Sequence, residues 1–126
     1  MDAPAPLPYD TRGRYALIGA GPVGLGIARA LAAHRIPYDQ LEADDGVGGN
    51  WYHGVYSTAH IISSRKTTEY ADYPMPAHYP DFPSAQQMCD YLREYTEHFN
   101  LRPNIQFNTK VVMARPGGDG SWELEA

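Results

Sequence analysis

The chain has 126 residues, 43% of them hydrophobic and 20% charged, which is enough for one soluble globular domain with a single core. Its formal net charge of −5 argues against binding to nucleic acid or to an anionic membrane surface, because both carry negative charge. Cys89 is the one cysteine, which excludes an internal disulfide and indicates a reducing, cytoplasmic setting. The sequence contains no apolar stretch of the roughly 18 residues that a membrane helix needs, and no secretory signal.

The first elements of the chain predict a strand, helix, strand unit. Residues 1–13 are rich in proline and polar residues and are expected to form a disordered arm. Tyr15-Ala16-Leu17-Ile18 is a short apolar run that ends at glycines, which is typical of a buried parallel strand. The apolar spacing from Pro22 predicts a helix that the next proline stops at Ile36 at the latest. Residues 38–42 predict a second strand, so the unit should be a parallel, right-handed crossover.

The middle of the chain predicts a long irregular connection followed by a helix. Between Asp44 and Pro83 glycines, prolines and tyrosines are dense, and only Ile61-Ile62 indicates a brief buried segment. Ser84 followed by Gln87 is a capping-box pattern, which predicts a helix running to about Phe99. Its apolar residues recur at three- and four-residue intervals and are expected to face the core. They are Met88, Tyr91, Leu92, Tyr95 and Phe99.

The last part of the chain predicts two strands joined by a turn. Ile105 to Met113 has the pattern of a strand, residues 117–120 are turn-forming, and residues 121–125 predict the returning strand. Because no internal repeat and no linker is visible, residues 14–126 are expected to form one α/β domain with a C-terminal β-hairpin.

A motif of the form G-x-G-x-x-G, Gly19-Ala20-Gly21-Pro22-Val23-Gly24, lies between the first strand and the first helix. In this position the first glycine allows a tight turn, the second lets backbone N–H groups approach a pyrophosphate, and the third lets helix and strand pack closely. The helix N-terminus adds unpaired N–H donors and partial positive charge. Taken alone, the motif is equally compatible with an ordinary glycine-rich turn.

An acidic residue, Glu42, stands at the expected end of the second strand. A carboxylate there can accept both hydroxyl groups of an adenosine ribose and would repel a 2′-phosphate, so the site favours FAD or NAD over NADP. The alternative for Glu42 alone is a solvated acid at a strand end. The preceding glycine motif reverses that preference.

A second glycine-rich stretch, Gly46-Val47-Gly48-Gly49-Asn50-Trp51, follows Glu42. Its glycines allow close backbone approach and positive φ angles, and its tryptophan offers a flat apolar surface. A plain loop with a buried tryptophan is the alternative. At this point the chain resembles the class B flavoprotein monooxygenases, the flavin-containing monooxygenases in particular, in which E-x5-G-G-x-W follows the first glycine motif. Three later segments keep the family's order: Ile62-Ser63-Ser64-Arg65, Asp72-Tyr73-Pro74 and Tyr79-Pro80-Asp81-Phe82-Pro83.

The resemblance implies that residues 14–126 are part of a Rossmann-like FAD-binding domain, truncated before the rest of the enzyme. It implies an NADPH-dependent monooxygenase that uses molecular oxygen to oxygenate soft nucleophiles, such as amines and sulfides, through a C4a-hydroperoxyflavin. By similarity, Gly19 to Val23 would hold the FAD pyrophosphate and Glu42 the ribose. The other cofactor-binding candidates are Gly24, Gly48, Gly49, Asn50, Trp51, Ile62, Ser64 and Val111, the last through backbone that meets the adenine.

The chain departs from the family's pattern in two ways. Ile62 stands where many flavin-containing monooxygenases have an asparagine that helps to stabilise the oxygenated flavin, and isoleucine has no polar group. Ser63 is the candidate catalytic residue that would take over this contact, and an ordinary loop hydroxyl is the alternative. The NADPH site and the family's fingerprint are expected downstream, so we expect the chain alone to bind FAD weakly and not to turn over.

Several alternatives stay open from the sequence. The histidines show no metal-ligand spacing, so no metal site is predicted. One alternative is a Baeyer–Villiger or N-hydroxylating monooxygenase, which shares the first glycine motif. An alternative from a different functional class is a non-catalytic FAD- or NAD-binding remnant. The expected partners are a small-molecule substrate and oxygen, whereas substrate identity and oligomeric state are not indicated.

Overall fold

The computed structural model of the chain describes residues 13–126, so the predicted N-terminal arm lies almost wholly outside the described residues. Strand β1 (Tyr15–Ile18), helix α1 (Pro22–Ala33) and strand β2 (Tyr38–Leu41) form the predicted unit. β1 and β2 pair in parallel along their whole length. A two-residue strand, β3 (Ile105–Gln106), pairs in parallel with the other side of β2, which gives the sheet order β1-β2-β3. The predicted α/β class is confirmed.

Helix α1 begins as the sequence indicates and ends earlier than its proline limit. Pro22 occupies the first turn after the N-cap residue Gly21, where a missing N–H is tolerated. At the other end Arg35 takes a left-handed φ of 57°, and the N–H of Ile36 donates to the carbonyl of Leu31 at 2.9 Å. This bond satisfies a carbonyl of the last turn and directs the chain back toward β2.

The connection from residue 42 to 83 contains two short helical turns that the sequence did not indicate. A π-helical turn spans Asn50–Gly54, and α2 is a single turn at Arg65–Thr68. The expected buried pair is only half right, because Ile61 is buried whereas Ile62 is 91% exposed. The N–H of Ile61 donates to the Pro83 carbonyl at 3.0 Å, just before the next helix, and this bond fixes the position of Ile61.

Helix α3 (Ala85–His98) confirms the capping-box prediction. The Gln87 N–H donates to Oγ of Ser84 at 3.1 Å, and the Ser84 N–H donates to Oε1 of Gln87 at 3.0 Å. Asn100 has a φ of 52° and follows the helix end, as expected for a residue that tolerates the left-handed conformation. The predicted apolar face packs in the core, with Phe99 half-buried and the other four residues of the stripe buried.

A cluster of tyrosines ties α3 to α1 through the irregular connection. The ring of Tyr70 stacks on that of Tyr95 at 4.0 Å between centroids. The Tyr70 hydroxyl donates to the Pro22 carbonyl, and the Tyr91 hydroxyl donates to the Tyr73 carbonyl. The hydroxyl groups of Tyr70 and Tyr91 therefore bond to backbone, while the rings fill the space between the two helices.

The predicted strand from Ile105 to Met113 is wrong over most of its length. β3 stops at Gln106, and Asn108 takes a φ of 53°. The N–H groups of Asn108 and Thr109 then donate to the carbonyls of Asp44 and Glu42, at 3.0 and 2.9 Å. The segment leaves the sheet because it bonds across the end of β2.

The C-terminal β-hairpin is confirmed. Strands β4 (Met113–Pro116) and β5 (Trp122–Glu125) pair antiparallel around the glycine-rich turn. The expectation that β1 is buried is wrong for the described residues, since Ile18 is 53% exposed. β1 lies at the edge of the three-stranded sheet and has β2 as its neighbour in that sheet.

Candidate cofactor-binding site

The first glycine loop, residues 19–24, has the conformation that its motif predicts. Gly19 has a φ of 103°, which a side chain would strain. A Cβ on Gly24 would lie 2.3 Å from the carbonyl oxygen of Gly19, so no larger residue fits without moving α1 away from β1. The first and third glycines are therefore required by the turn and by the helix–strand packing.

The second glycine loop, residues 46–49, packs directly against the first. The N–H of Gly48 donates to the Ala20 carbonyl at 3.0 Å. A Cβ on Gly49 would lie 3.1 Å from Cα of Gly21, and a Cβ on Gly21 would lie 3.5 Å from Cα of Gly49. Gly48 and Gly49 both have positive φ. The two glycine motifs, separate in sequence, form one backbone-lined edge at the N-terminus of α1.

Glu42 lies beside this edge and is buried, with 7% of its surface exposed, which overturns the alternative of a solvated acid. The Ala20 N–H donates to its Oε2 at 2.5 Å, and the Asp44 N–H donates to its Oε1 at 3.0 Å. Each carboxylate oxygen keeps a second lone pair. The carboxylate can thus accept hydrogen bonds from the loop backbone and still accept one from a hydroxyl group of a ligand.

Gln40 is a site residue that sequence reasoning missed. Its side chain is fully buried, and its Nε2 donates to the Gly19 carbonyl at 2.8 Å. Gln40 lies on β2 and precedes Glu42, the residue directly after the strand, by two positions, so both side chains lie on the same face. The one sequence signal for it is a polar residue at an inward position of a strand that ends beside a glycine motif.

An open cavity of about 490 Å³ adjoins the N-terminus of α1. It brings together four predicted site residues, which are Pro22, Trp51, Ile62 and Ser63. Trp51 is half-buried and packs against the core, whereas Ile62 is almost fully exposed. The cavity thus has an apolar wall beside the glycine edge, which suits a flat ring.

Ser63 and Ser64 have different partners. Oγ of Ser63 lies 2.6 Å from Oγ1 of Thr68, another residue lining the cavity, so either hydroxyl can donate to the other. Ser64 is the N-cap of α2, and its Oγ accepts from the Thr67 N–H at 3.4 Å. Ser64 therefore has a local structural role, while the Ser63 hydroxyl stands at the cavity.

Three other predicted residues are not among those that line this cavity. Val23 is 74% exposed on the first turn of α1. Asn50 is exposed and begins the π-helical turn, where a Cβ on Gly54 would lie 2.6 Å from its Oδ1. Val111 is half-buried in the irregular segment before β4, not in a strand, two residues after the Thr109 that bonds to the Glu42 carbonyl.

Two tyrosine hydroxyl groups beside the cavity stay protonated at neutral pH. Burial raises the pKa of Tyr91 to about 12, and burial together with the neighbouring tyrosines raises the pKa of Tyr70 well above its ordinary value. Both groups therefore remain hydrogen-bond donors to the backbone. Their donation to the Pro22 and Tyr73 carbonyls holds the cavity wall in place.

Within residues 13–126, no group of three or more histidine, cysteine or acidic side chains is placed to hold a metal ion. No helix in that range has the length and apolarity needed to cross a membrane.

The residues present fit the adenosine diphosphate part of FAD. A Cβ on Gly24 or Gly49 would distort the edge, whereas a Cβ on Gly21 would stand in ordinary contact with Gly49. This edge lies at the start of the 12-residue helix α1. The first N–H groups of a helix have no partner within it and can bind a ligand. The carboxylate of Glu42 lies beside it. Backbone donors and an acidic acceptor are the groups that a pyrophosphate and a ribose need.

Comparison with known proteins identifies relatives of the same kind. The family model of flavin-binding monooxygenase-like proteins matches residues 12–124. The probable flavin-containing monooxygenase 1 of Arabidopsis thaliana is 40% identical over 116 residues, which cover 89% of this chain and 22% of that protein. Among solved structures, FAD-bound OTEMO superposes with a TM-score of 0.82 at 24% identity, over 93% of this chain and 23% of that one.

An oxidised steroid monooxygenase bound to NADP has a TM-score of 0.81 at 24% identity, over 88% of this chain and 23% of the other. The chain thus spans somewhat less than a quarter of the length of these proteins. The structural likeness supports the fold, and the family match covers nearly all of the described residues. The chain belongs to the flavin-binding monooxygenase-like family.

Proposed function

We propose that this chain is the FAD-binding portion of an NADPH-dependent monooxygenase that oxygenates soft nucleophiles such as amines and sulfides. The observation that carries the proposal is the contact between the two glycine loops, Gly21 against Gly49, with Glu42 buried beside them. In this arrangement the N-terminus of α1 can bind the pyrophosphate and Glu42 can bind the ribose.

The cavity beside the glycine edge is the proposed location of the flavin ring. Trp51 and Pro22 would form its apolar wall, and Ser63 would place a hydroxyl group at the reacting side. When bound, FAD supplies the oxygen-activating chemistry, and the protein binds, orients and shields it. Ser63 is the proposed catalytic residue, because the Ile62 side chain has no polar group and the Ser63 hydroxyl is already oriented by Thr68.

The name of the Arabidopsis relative supports flavin-containing monooxygenase activity, and the sequence resemblance to that family is what implies amine or sulfide oxygenation. The Arabidopsis thaliana relative at 40% identity is named a flavin-containing monooxygenase. The steroid monooxygenase and OTEMO are similar at 24% identity, which supports only a shared fold. A cytoplasmic location is part of the proposal, since Cys89 is buried and unpaired.

Ligand titration of the purified chain tests the FAD site. FAD, ADP and FMN are titrated separately, and binding is followed by NMR chemical shifts, which detect weak complexes. We expect FAD and ADP to shift the amide signals of residues 19–24, and FMN, which lacks the adenosine half, to bind more weakly.

Gly21→Val, which places methyl groups toward Gly49, is expected to weaken ADP and FAD binding by at least roughly tenfold. Gly118→Val is the matched control, because a Cβ there has no heavy atom within 4 Å. Equal affinity of Gly21→Val and the wild-type chain, or FMN binding as tight as FAD binding, would contradict the proposed site.

A chimera tests the oxygenation part of the proposal. Residues 12–124 replace the matching segment of the Arabidopsis relative, and NADPH oxidation is followed with a sulfide, an amine and a ketone. Sulfoxide or N-oxide formation supports the proposal, whereas ester or lactone formation supports the Baeyer–Villiger alternative. A chimera that retains FAD but forms no product favours a non-catalytic remnant.

A further inference from the structure

The peptide unit between Gly19 and Ala20 is held at both ends by side chains from the C-terminal end of β2. Its carbonyl accepts from Nε2 of Gln40 at 2.8 Å, and its N–H donates to Oε2 of Glu42 at 2.5 Å. Gln40 lies on β2 and Glu42 is the residue directly after its end, two positions further along extended backbone, so the two side chains point to the same face. Together they fix the rotation of this peptide plane, the first of the glycine loop.

Within residues 13–126, the Gly19 carbonyl accepts a hydrogen bond from Gln40 alone. Gly24 lies so close that a Cβ would come within 2.3 Å of the carbonyl oxygen, which leaves no room for a water molecule on that side. If the Gln40 amide were absent, a partly buried carbonyl would lose its hydrogen bond, and such a loss is costly. The contact thus opposes rotation of this peptide to a competing orientation.

The other end of the Gln40 amide indicates that stability alone does not account for this residue. Gln40 is fully buried, and its Oε1 has no hydrogen-bond partner among the residues that the structure describes. A buried acceptor without a partner destabilises the fold, and a methionine or leucine would fill the same space without it. A polar residue here is better explained by what its Nε2 holds in place.

We propose that Gln40 is a positioning residue for the dinucleotide site, resting on the proposed FAD-binding function. By holding the Gly19 carbonyl inward, Gln40 turns the following backbone N–H groups toward the ligand edge. It acts with Glu42, whose carboxylate bonds the other end of the same peptide. Gln40 does not touch the ligand, and its effect passes through the loop.

The test compares Gln40→Met with Gln86→Met in the purified 126-residue chain. Methionine preserves the length of the side chain and removes the hydrogen-bond donor. Gln86 is the control because it lies exposed on α3, where its Nε2 donates to Oδ1 of Asp90. ADP is the probe, its Kd is measured by NMR titration, and global stability is measured by urea unfolding. Hydrogen exchange of the Ala20 and Gly48 amides reports the loop itself.

We expect Gln40→Met to weaken ADP binding by roughly tenfold, the effect of one hydrogen bond. Exchange at Ala20 and Gly48 should accelerate more than exchange in α3, because the change is local. Gln86→Met should leave both measurements within twofold of the wild-type chain. If Gln40→Met does not fold, Gln40→Asn makes the same comparison, because it is one methylene too short to reach the Gly19 carbonyl.

The outcomes separate the inference from the function on which it rests. If the wild-type chain binds ADP and the Gln40 variant binds ADP with the same Kd, the positioning role is overturned and the proposed function stays intact. Uniform acceleration of exchange throughout the chain overturns it as well, because it indicates a purely structural residue. A wild-type chain that binds neither ADP nor FAD overturns the proposed function and the positioning role together.

Discussion

Two alanine substitutions in the same helix should separate close packing from helix propensity. Gly24 and Gly26 both lie within α1, so replacing either with alanine gains about 1 kcal/mol of helix propensity. They differ in what a new Cβ meets. At Gly24 it meets the Gly19 carbonyl oxygen at 2.3 Å, and at Gly26 it meets the edge of the Tyr70 ring at 3.2 Å.

The magnitude follows from the two distances. A carbon atom rarely approaches an oxygen closer than about 3.3 Å, so Gly24→Ala requires α1 to move by roughly 1 Å. The loop cannot yield instead, because the Gly19 N–H is bonded to the Leu41 carbonyl at 2.8 Å and its carbonyl to Gln40. Overpacking of this kind costs up to about 3 kcal/mol. After the propensity gain, Gly24→Ala should lose about 2 kcal/mol of unfolding free energy.

Gly26→Ala should remain within about 1 kcal/mol of the wild type, because a few tenths of an ångström at a ring edge offset the propensity gain. Urea unfolding followed by circular dichroism measures both variants. With an m-value of about 2 kcal/mol/M, the midpoint of Gly24→Ala should fall by roughly 1 M. A Gly24→Ala midpoint equal to or above that of Gly26→Ala would refute the packing argument.

Three further predictions concern the second half of the chain. Ser84→Ala removes the capping box of α3 and should lower the unfolding free energy by about 1 kcal/mol, measured by urea unfolding. Tyr70→Phe keeps the ring stack but removes the bond to the Pro22 carbonyl, and thermal melting should show a loss of about 1 kcal/mol. Burial raises the pKa values of Tyr91 and Tyr95 to about 12, above about 10 in the unfolded chain, so the stability contributed by their protonated forms should be constant below pH 10 and fall between pH 10 and 12. An unchanged urea midpoint at pH 11 would contradict this.

Elements with local causes were predictable from sequence. The capping box at Ser84 involves groups three residues apart, and the first glycine loop lies between a strand and a helix that its own neighbours define. The hairpin follows from its glycine-rich turn. In each of these cases the signal and the structure occupy the same short window.

Features with distant causes were not predictable. The expected strand after Ile105 breaks because Asn108 and Thr109 bond to carbonyls more than 60 residues earlier, at Asp44 and Glu42. The role of Gln40 was not predicted, because its partner Gly19 lies 21 residues away and an isolated glutamine in a strand forms no recognisable motif. Ile62 was expected to be buried as part of an apolar pair, yet only its neighbour Ile61 reaches the core.

The two halves of the candidate site are built differently. The glycine edge is formed by backbone and by side chains at the C-terminal end of β2, whereas the cavity is walled by side chains from several segments. Tyr70 belongs to both halves, because its ring lines the cavity and its hydroxyl donates to the Pro22 carbonyl in the first turn of α1. A shift of the Tyr70 ring would therefore reach the helix end that faces the proposed pyrophosphate. Tyr70 of the irregular connection thus has a structural role, because it joins the wall of the cavity to the helix at the glycine edge.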